Sequence, residues 1–363
     1  MPRPKSSPGL EPISSPRVTI MDVARKAGLS RSGTAYALKD DPHVSKATRV
    51  RVQKIAATLG YRPDPMLSKL MAHLHGGRAK RYVGKIAFIN PDPKSDFVRI
   101  TPALSSFFSD AKSRAAALGY ETEEFWLHEP GRSPQRLARI LLARGIRGIV
   151  VGDMETKGKL PDFPWEHFAA ITVGYSIVEP KLLRVASGYF LNTLIAMGKI
   201  FEAGYRRPGL LSLRRQEDAM GRGHVAAFLA LQEEMSKEGR VALMNSPIMT
   251  PHVIRAWFDE QKPDVILTPN YPPKIHLKEA GIRVPEDVAL VSLQRWDGSA
   301  GIAGVRPGFE RLGTVAINQL VSLLQHDERG VPANCTTLEL EGRWMDGPSM
   351  PGVKKPSKKT KKA

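Results

Sequence analysis

Residues 18–74 read VTIMDVARKAGLSRSGTAYALKDDPHVSKATRVRVQKIAATLGYRPDPMLSKLMAHL. The stretch predicts three short helices followed by a fourth, amphipathic one. Thr19 is placed to cap the first helix, with Asp22 three positions on as a variant of the capping box. Ile20, Val23, Ala24 and Ala27 form an apolar stripe at helical spacing, and Gly28 supplies the left-handed residue that stops the helix. Ser30 caps a second helix, Arg31 to about Lys39. Two helices joined by a tight glycine-containing turn make a helix-turn-helix, whose second helix is sized for a DNA major groove. On that helix Arg31, Ser32 and Tyr36 are expected to face outward, with Thr34, Ala35 and Leu38 nearer the core. Arg31 is the candidate for a bidentate contact to guanine. Ser45 caps a third helix, with Val52, Ile55, Ala56 and Leu59 facing inward and Gly60 ending it.

Composition places this stretch in a larger frame. A chain of 363 residues predicts two or three domains, and 42% hydrophobic residues suffice for a sizeable core. There is no run of 18 apolar residues to span a membrane, and the leader MPRPKSSPGLEPISSPR lacks the apolar centre of a secretory signal. Cys335 is the sole cysteine, which excludes an intramolecular disulfide and a CxxC metal site. The net charge of +18 is segregated. Residues 1–81 hold 16 Lys/Arg against 5 Asp/Glu, and residues 352–363 add six lysines and no acid. The middle, 82–351, is near neutral with 32 basic and 31 acidic side chains. That is the footprint of a polyanion binder joined to a separate neutral module.

Enzyme motifs are missing. There is no G-x-S-x-G, no H-E-x-x-H and no phosphate loop; the Gly-Lys pairs at Gly84, Gly158 and Gly198 are not followed by Ser or Thr. His73 and His75 lack further ligands nearby. No catalytic residue, metal or cofactor is assigned.

Five prolines and four serines make residues 1–16 a disordered leader. The head runs over 17–63, and a hinge helix with linker over 64–81. Asp64 caps the hinge and Pro65 sits in its first turn, with Leu67, Leu70, Met71 and Leu74 as its stripe. From Tyr82 the pattern turns to short apolar strands alternating with helices, which implies parallel sheets covered on both faces. Strands are expected at Val83–Ile89, Thr122–Trp126, Gly148–Val151, Ala169–Val173, Gly209–Leu213, Val241–Met244, Val265–Thr268, Val288–Leu293 and Thr337–Glu341. Helices are expected at Leu104–Leu118, Pro134–Ala143, Leu191–Ala203, Ala219–Glu234, Pro251–Gln261 and Leu312–Gln325. The core is assigned to 82–346. A first lobe takes 82–183 with a return near 296–323, and a second takes 184–295 with the strand Thr337–Glu341. Residues 347–363 read as a basic disordered tail.

The turn AGLS (Ala27–Ser30) and the words HVS (His43–Ser45), TR (Thr48–Arg49) and GYRP (Gly60–Pro63) closely resemble the DNA-binding head of the LacI/GalR family of bacterial transcription repressors. The core words GIRGIVV (Gly145–Val151), EAGYRRPGLL (Glu202–Leu211), KPDVILTPN (Lys262–Asn270), AGIRVPEDVALVSL (Ala280–Leu293) and VRPGFERLG (Val305–Gly313) resemble that family's core. The resemblance implies an α/β fold: a three-helix helix-turn-helix head, a hinge helix, and a two-lobed periplasmic-binding-protein-like core. It implies a cytoplasmic, nucleoid-associated homodimer on a pseudopalindromic double-stranded DNA operator. A small molecule between the lobes, a sugar or derivative, would act as effector.

The residues expected at DNA are Thr19, Ser30, Arg31, Ser32, Thr34, Tyr36, Ser45, Arg49, Lys69 and Leu70. Leu70 takes the place of the family's minor-groove wedge. Tyr36 stands where the family usually has a guanine-reading arginine, because TVSR is here GTAY (Gly33–Tyr36). The residues expected at the effector are Ser187, Arg222, His224, Asn270, Tyr271, Gln294 and Trp296. Several replace the polar groups by which the family grips a sugar. Three readings stay open: an effector that is not a typical sugar, binding by other residues such as Arg222, Trp296 and Asp297, or a cleft that binds nothing. A non-specific architectural DNA-binding protein is the alternative to a regulator.

Overall fold

The computed structural model describes residues 20–38, 44–59, 61, 82–269, 273–295 and 301–353. The chain divides into two compact units between Lys80 and Arg81.

In the first unit α1 (Ile20–Ala27), α2 (Arg31–Leu38) and α3 (Lys46–Leu59) surround Val23, Ala27, Ala37, Val52 and Ala56. Each helix is too short to persist alone in water, so the shared apolar centre holds them. Two of the expected caps form, and those at Thr19 and Asp64 lie outside the described residues. Ser30 Oγ accepts the Gly33 amide at 3.1 Å, and Ser45 Oγ accepts the Thr48 amide at 3.3 Å. Each satisfies an otherwise unpaired donor of the helix it opens. Gly28 ends α1 at φ +64°. Arg51 of α3 donates to the Ala27 carbonyl at 3.2 Å, which ties the open end of α1 to the third helix.

The second unit holds strands β1 (Gly84–Asn90), β2 (Tyr120–Trp126), β3 (Gly148–Val151), β4 (Gly158–Lys159), β5 (Ala169–Val173), β6 (Ile177–Glu179), β7 (Leu183–Ser187), β8 (Pro208–Leu213), β9 (Met244–Ser246), β10 (Val265–Thr268), β11 (Ala289–Ser292), β12 (Ala303–Arg306), β13 (Thr337–Leu340) and β14 (Arg343–Met345). Its helices are α4 (Phe97–Ile100), α5 (Pro102–Ala117), α6 (Pro134–Ala143), α7 (Tyr189–Glu202), α8 (Arg214–Ala219), α9 (Gly223–Glu233), α10 (Pro251–Gln261), α11 (Pro273–Glu279) and α12 (Phe309–His326). Among the described residues, no helix is long and apolar enough to cross a membrane.

The first sheet runs β13–β7–β5–β3–β1–β2, every ladder parallel. The second runs β14–β12–β11–β10–β8–β9, parallel except where β14 returns beside β12. β3, β5, β10 and β11 are buried along their whole length, as strands covered on both faces must be. In the first lobe α12 packs closely against α5. A Cβ on Gly313 would meet Phe107 O and Ala111 N at 2.4 Å.

The lobe assignment differs from the sequence reading in three places: residues 184–187 of β7, expected in the second lobe, pair with β5 and β13 in the first sheet. Thr337–Leu340 pairs with β7 in the first sheet, and Ala303–Arg306 pairs with β11 in the second. The chain therefore passes between lobes after β7, after β12 and after β13. A buried polar knot joins the three passages. Asn192 Nδ2 donates to Ser187 Oγ at 3.0 Å, Ser187 Oγ donates to Pro307 O at 3.2 Å, and Gly342 N donates to Asn192 Oδ1 at 2.7 Å.

Other boundaries move for local reasons. The helix expected over Ala219–Glu234 breaks at Met220–Arg222, because Gly221 (φ +67°) and Arg222 (φ +61°) are both left-handed. The strand expected at Val241–Met244 begins only at Met244. The tail expected from 347 starts as packed structure. Ser349 is 1% exposed; its hydroxyl donates to Leu290 O at 2.6 Å and accepts the Ala303 amide at 2.8 Å, which bridges β11 and β12.

Candidate nucleic-acid interface and interlobe cleft

In the head, α2 has a buried face, Thr34 and Ala37, and an exposed one that carries Tyr36, 52% exposed. Arg31 and Ser32 lie on this helix, but their side chains fall outside the described residues. So do Thr19, Lys69, Leu70 and the whole hinge. Thr34 must be removed from the residues expected at DNA. It is 0% exposed, and its hydroxyl donates to Ser30 O at 3.0 Å, turning inward at the first turn of α2. Ser30 and Ser45 are exposed, but each hydroxyl already serves a cap. Arg49 is half-buried on α3.

In the core, the carboxyl ends of both sheets' strands meet, the usual place for a ligand in open α/β sheets. From the first lobe come Asp153 and Glu155 after β3, Tyr175 and Ser176 after β5, and Glu339 on β13. From the second come Arg215 and Glu217 on α8, the turn Met220–Arg222, His224 on α9, and Gln294 after β11. Tyr189 opens α7 and packs into the first lobe's apolar cluster, together with Met220 from the second lobe.

The polar groups here are strongly coupled. His224 is fully buried, with Nδ1 2.8 Å from the equally buried Glu217 Oε1 and its ring 5.0 Å from that of Tyr189. Its Nε2 has no hydrogen-bond partner among the described residues, nor does the buried Oε1 of Gln216. Withdrawal from water raises the Tyr189 phenol, with nearby Asp153 adding to it. Tyr175 donates to Glu339 and lies under the Arg184 guanidinium, 5.1 Å from its ring centre. Burial, then that hydrogen bond, raises its phenol. Asp153 is pushed up to about 6, chiefly by desolvation, against the lowering effect of the Ser176 hydroxyl and the Met154 and Ser176 amides. Its carboxylate lies over Gly174, where a Cβ would stand 2.2 Å from Oδ2.

Of the residues expected at an effector, His224 and Gln294 do reach this seam. Gln294 is 8% exposed, and its Nε2 donates to Met220 Sδ at 3.0 Å. Arg222 borders the seam on an exposed turn and is paired with Asp218 at 2.6 Å. Ser187 is corrected: it is 1% exposed, and its hydroxyl both donates and accepts within the crossover knot, so none of it faces a ligand. Asn270, Tyr271 and Trp296 lie outside the described residues. Asp153, Tyr175, Tyr189 and Glu217 were missed. For Asp153 and Tyr175 a signal existed, since each stands two residues beyond a strand's carboxyl end. Glu217 had none, because a helix break separates it from His224.

Residues 19–64 match the family model described as "Bacterial regulatory proteins, lacI family". The head is similar to that family over these residues. The order of a helix-turn-helix head and a two-lobed core also appears among solved structures, at low identity. The chain aligns with the Lac repressor dimer bound to operator and the anti-inducer ONPF at 16% identity and a TM-score of 0.53, over 92% of this chain and 99% of that one. It aligns with the CelR–cellobiose complex at 18% and 0.52, over 92% and 100%. A LacI-family transcriptional regulator from Enterococcus faecium with bound ribose aligns at 16% and 0.54, over 74% and 100%. These likenesses show the fold: a helix-turn-helix head with a periplasmic-binding-protein-like core. No curated protein sequence matches the chain.

Proposed function

We propose that this chain is a sequence-specific transcriptional repressor. It binds a pseudopalindromic operator as a cytoplasmic, nucleoid-associated homodimer, under control of a small molecule in the interlobe cleft. One observation carries the reading. In a LacI-family head, α2 buries Thr34 and Ala37 and leaves Tyr36 on the surface, the arrangement a groove-reading helix requires. The near-neutral body and the basic head fit a division between control and DNA attraction. Two heads on two half-sites would mirror a two-fold axis. Nothing in this reading calls for a catalytic step.

Selection from a random-sequence duplex pool tests it. The full-length protein should enrich an approximately palindromic site and bind it about 10³-fold more tightly than bulk duplex at fixed salt. Uniform binding across the pool would instead make it an architectural protein. Arg31→Ala should relax preference at one position in each half-site. An equal loss on all sequences would make Arg31 a phosphate contact.

For the effector, His224 Nε2 and Gln216 Oε1 are buried polar atoms without a partner among the described residues, which a hydroxyl of a ligand, able to donate or accept, would satisfy. Thermal shift against ribose, cellobiose and other small polyols tests this. A flat response favours the second reading, a cleft without a ligand, which the internal engagement of Ser187 supports.

A further inference from the structure

The rim of the cleft carries one carboxylate held by cations of both lobes. Glu155, after β3, accepts from Lys94 Nζ at 2.5 Å on one oxygen and lies 3.3 Å from Arg215 Nη1 on the other. Lys94 belongs to the first lobe, and Arg215 to α8 of the second. The two first-lobe partners are positioned before they meet Arg215. Asp92 is 2% exposed and accepts the amides of both Lys94 (2.8 Å) and Glu155 (2.8 Å), one on each oxygen. Asn90 accepts the Asp92 amide and donates to the carbonyls of Lys94 and Ser95. An exposed pair of flexible side chains holds little by itself. Here the carboxylate is 28% exposed, shared by two cations, and fixed at its backbone. Lys94 first, and Arg215 after it, hold the Glu155 carboxyl below its ordinary range.

Deeper in, the second lobe fills the space itself. Met220 packs against the first lobe's apolar cluster beside Tyr175 and Tyr189. Gly221 lies so close to the Tyr175 ring that a Cβ would stand 3.3 Å from it. Tyr189 in turn rests on His224.

We propose that the core closes on its own residues: a rim latch, Lys94–Glu155–Arg215, and a plug, Met220–Gly221, keep the lobes together without an effector. The lobe angle is then set by rim charge. Anything that takes Arg215 away from Glu155 loosens the core, because that contact is the one in the latch that crosses between the lobes. This goes beyond the DNA-binding reading and does not depend on it.

Hydrogen exchange on the full-length protein tests it. The amides of Glu155, Met220 and Arg222 are bonded within their own lobes, to Asp92, Gln216 and Glu217, in turns that lean on the other lobe, so faster exchange there reports the loss of that support. Arg215→Glu sets two carboxylates against each other at an exposed site. It should speed exchange at residues 154–155 and 220–223 about tenfold or more while the strands of both sheets stay as in wild type. Inverting all three charges, Lys94→Glu and Glu155→Lys with Arg215→Glu, should restore protection to within about threefold. Raising salt to about 1 M should loosen the wild type and, by screening the two carboxylates, tighten the single variant, so that the two converge. An Arg215→Glu protein that exchanges like wild type overturns the proposal. So does a loosened single variant that the charge swap fails to rescue.

Discussion

The crossover knot offers the sharpest test of how the core is held together. Asn192 is 0% exposed and links all three passages between the lobes through Ser187, Pro307 and Gly342. Truncation to alanine removes two hydrogen bonds. The half-buried Gly342 amide is left without its acceptor, which costs about 1–3 kcal/mol. Ser187 loses a donor but keeps its own bond to Pro307, so that end costs about 1 kcal/mol. Asn192→Ala is therefore expected to destabilise the core by about 2–4 kcal/mol, and Ser187→Ala by about 1–2 kcal/mol. Because the two share one bond, the double variant should fall short of the sum by about 1 kcal/mol. Urea unfolding followed by tryptophan fluorescence reads the core alone, since Trp126, Trp165, Trp257, Trp296 and Trp344 all lie beyond residue 81. An Asn192→Ala core within about 0.5 kcal/mol of wild type would refute the reasoning, as would strict additivity of the two changes.

Two further outcomes follow from close contacts in the first lobe. Desolvation pushes the Asp153 carboxyl up to about 6 from its ordinary 3.8, so the folded state prefers its neutral form. That preference stabilises the core fully below about pH 4 and is lost as pH rises through about 6, a loss of up to ~3 kcal/mol that partial exposure cuts to about 1–2. Asp153→Asn should thus match wild type near pH 4 and exceed it at pH 7.5 in urea unfolding; a variant weaker at pH 7.5 would contradict the sign. Gly313→Ala places a methyl against backbone atoms of α5, where no side chain can yield. Calorimetry should show a core destabilised by about 2 kcal/mol or more, and an unchanged melting temperature would mean that α5 and α12 separate freely.

Much of the head was legible because its signals are local. Ser30, Gly28 and Ser45 act within three or four residues along the chain, and a cap or a left-handed stop works wherever it occurs. The same holds for β3, β5, β10, α6 and α10, whose bounds follow from unbroken apolar runs or a capped Pro start. The apolar period even located Thr34 on the inner face of α2, and resemblance to a family then wrongly carried it to the DNA.

What depended on distant partners was not legible. Thr337–Leu340 and Ala303–Arg306 are short, ordinary strands, and no property of their residues says which sheet will take them. Ser187 looks like a ligand contact until Pro307 and Asn192 are brought to it, and Glu155 looks like a solvated acid until Arg215 arrives from the other lobe. Sequence alone determined the helices that read their own ends and the charge that separates head from body. The tertiary structure decided which polar groups face each other across the lobes, because a hydrogen bond or ion pair between residues sixty or more apart exists only once the chain has closed the loop between them.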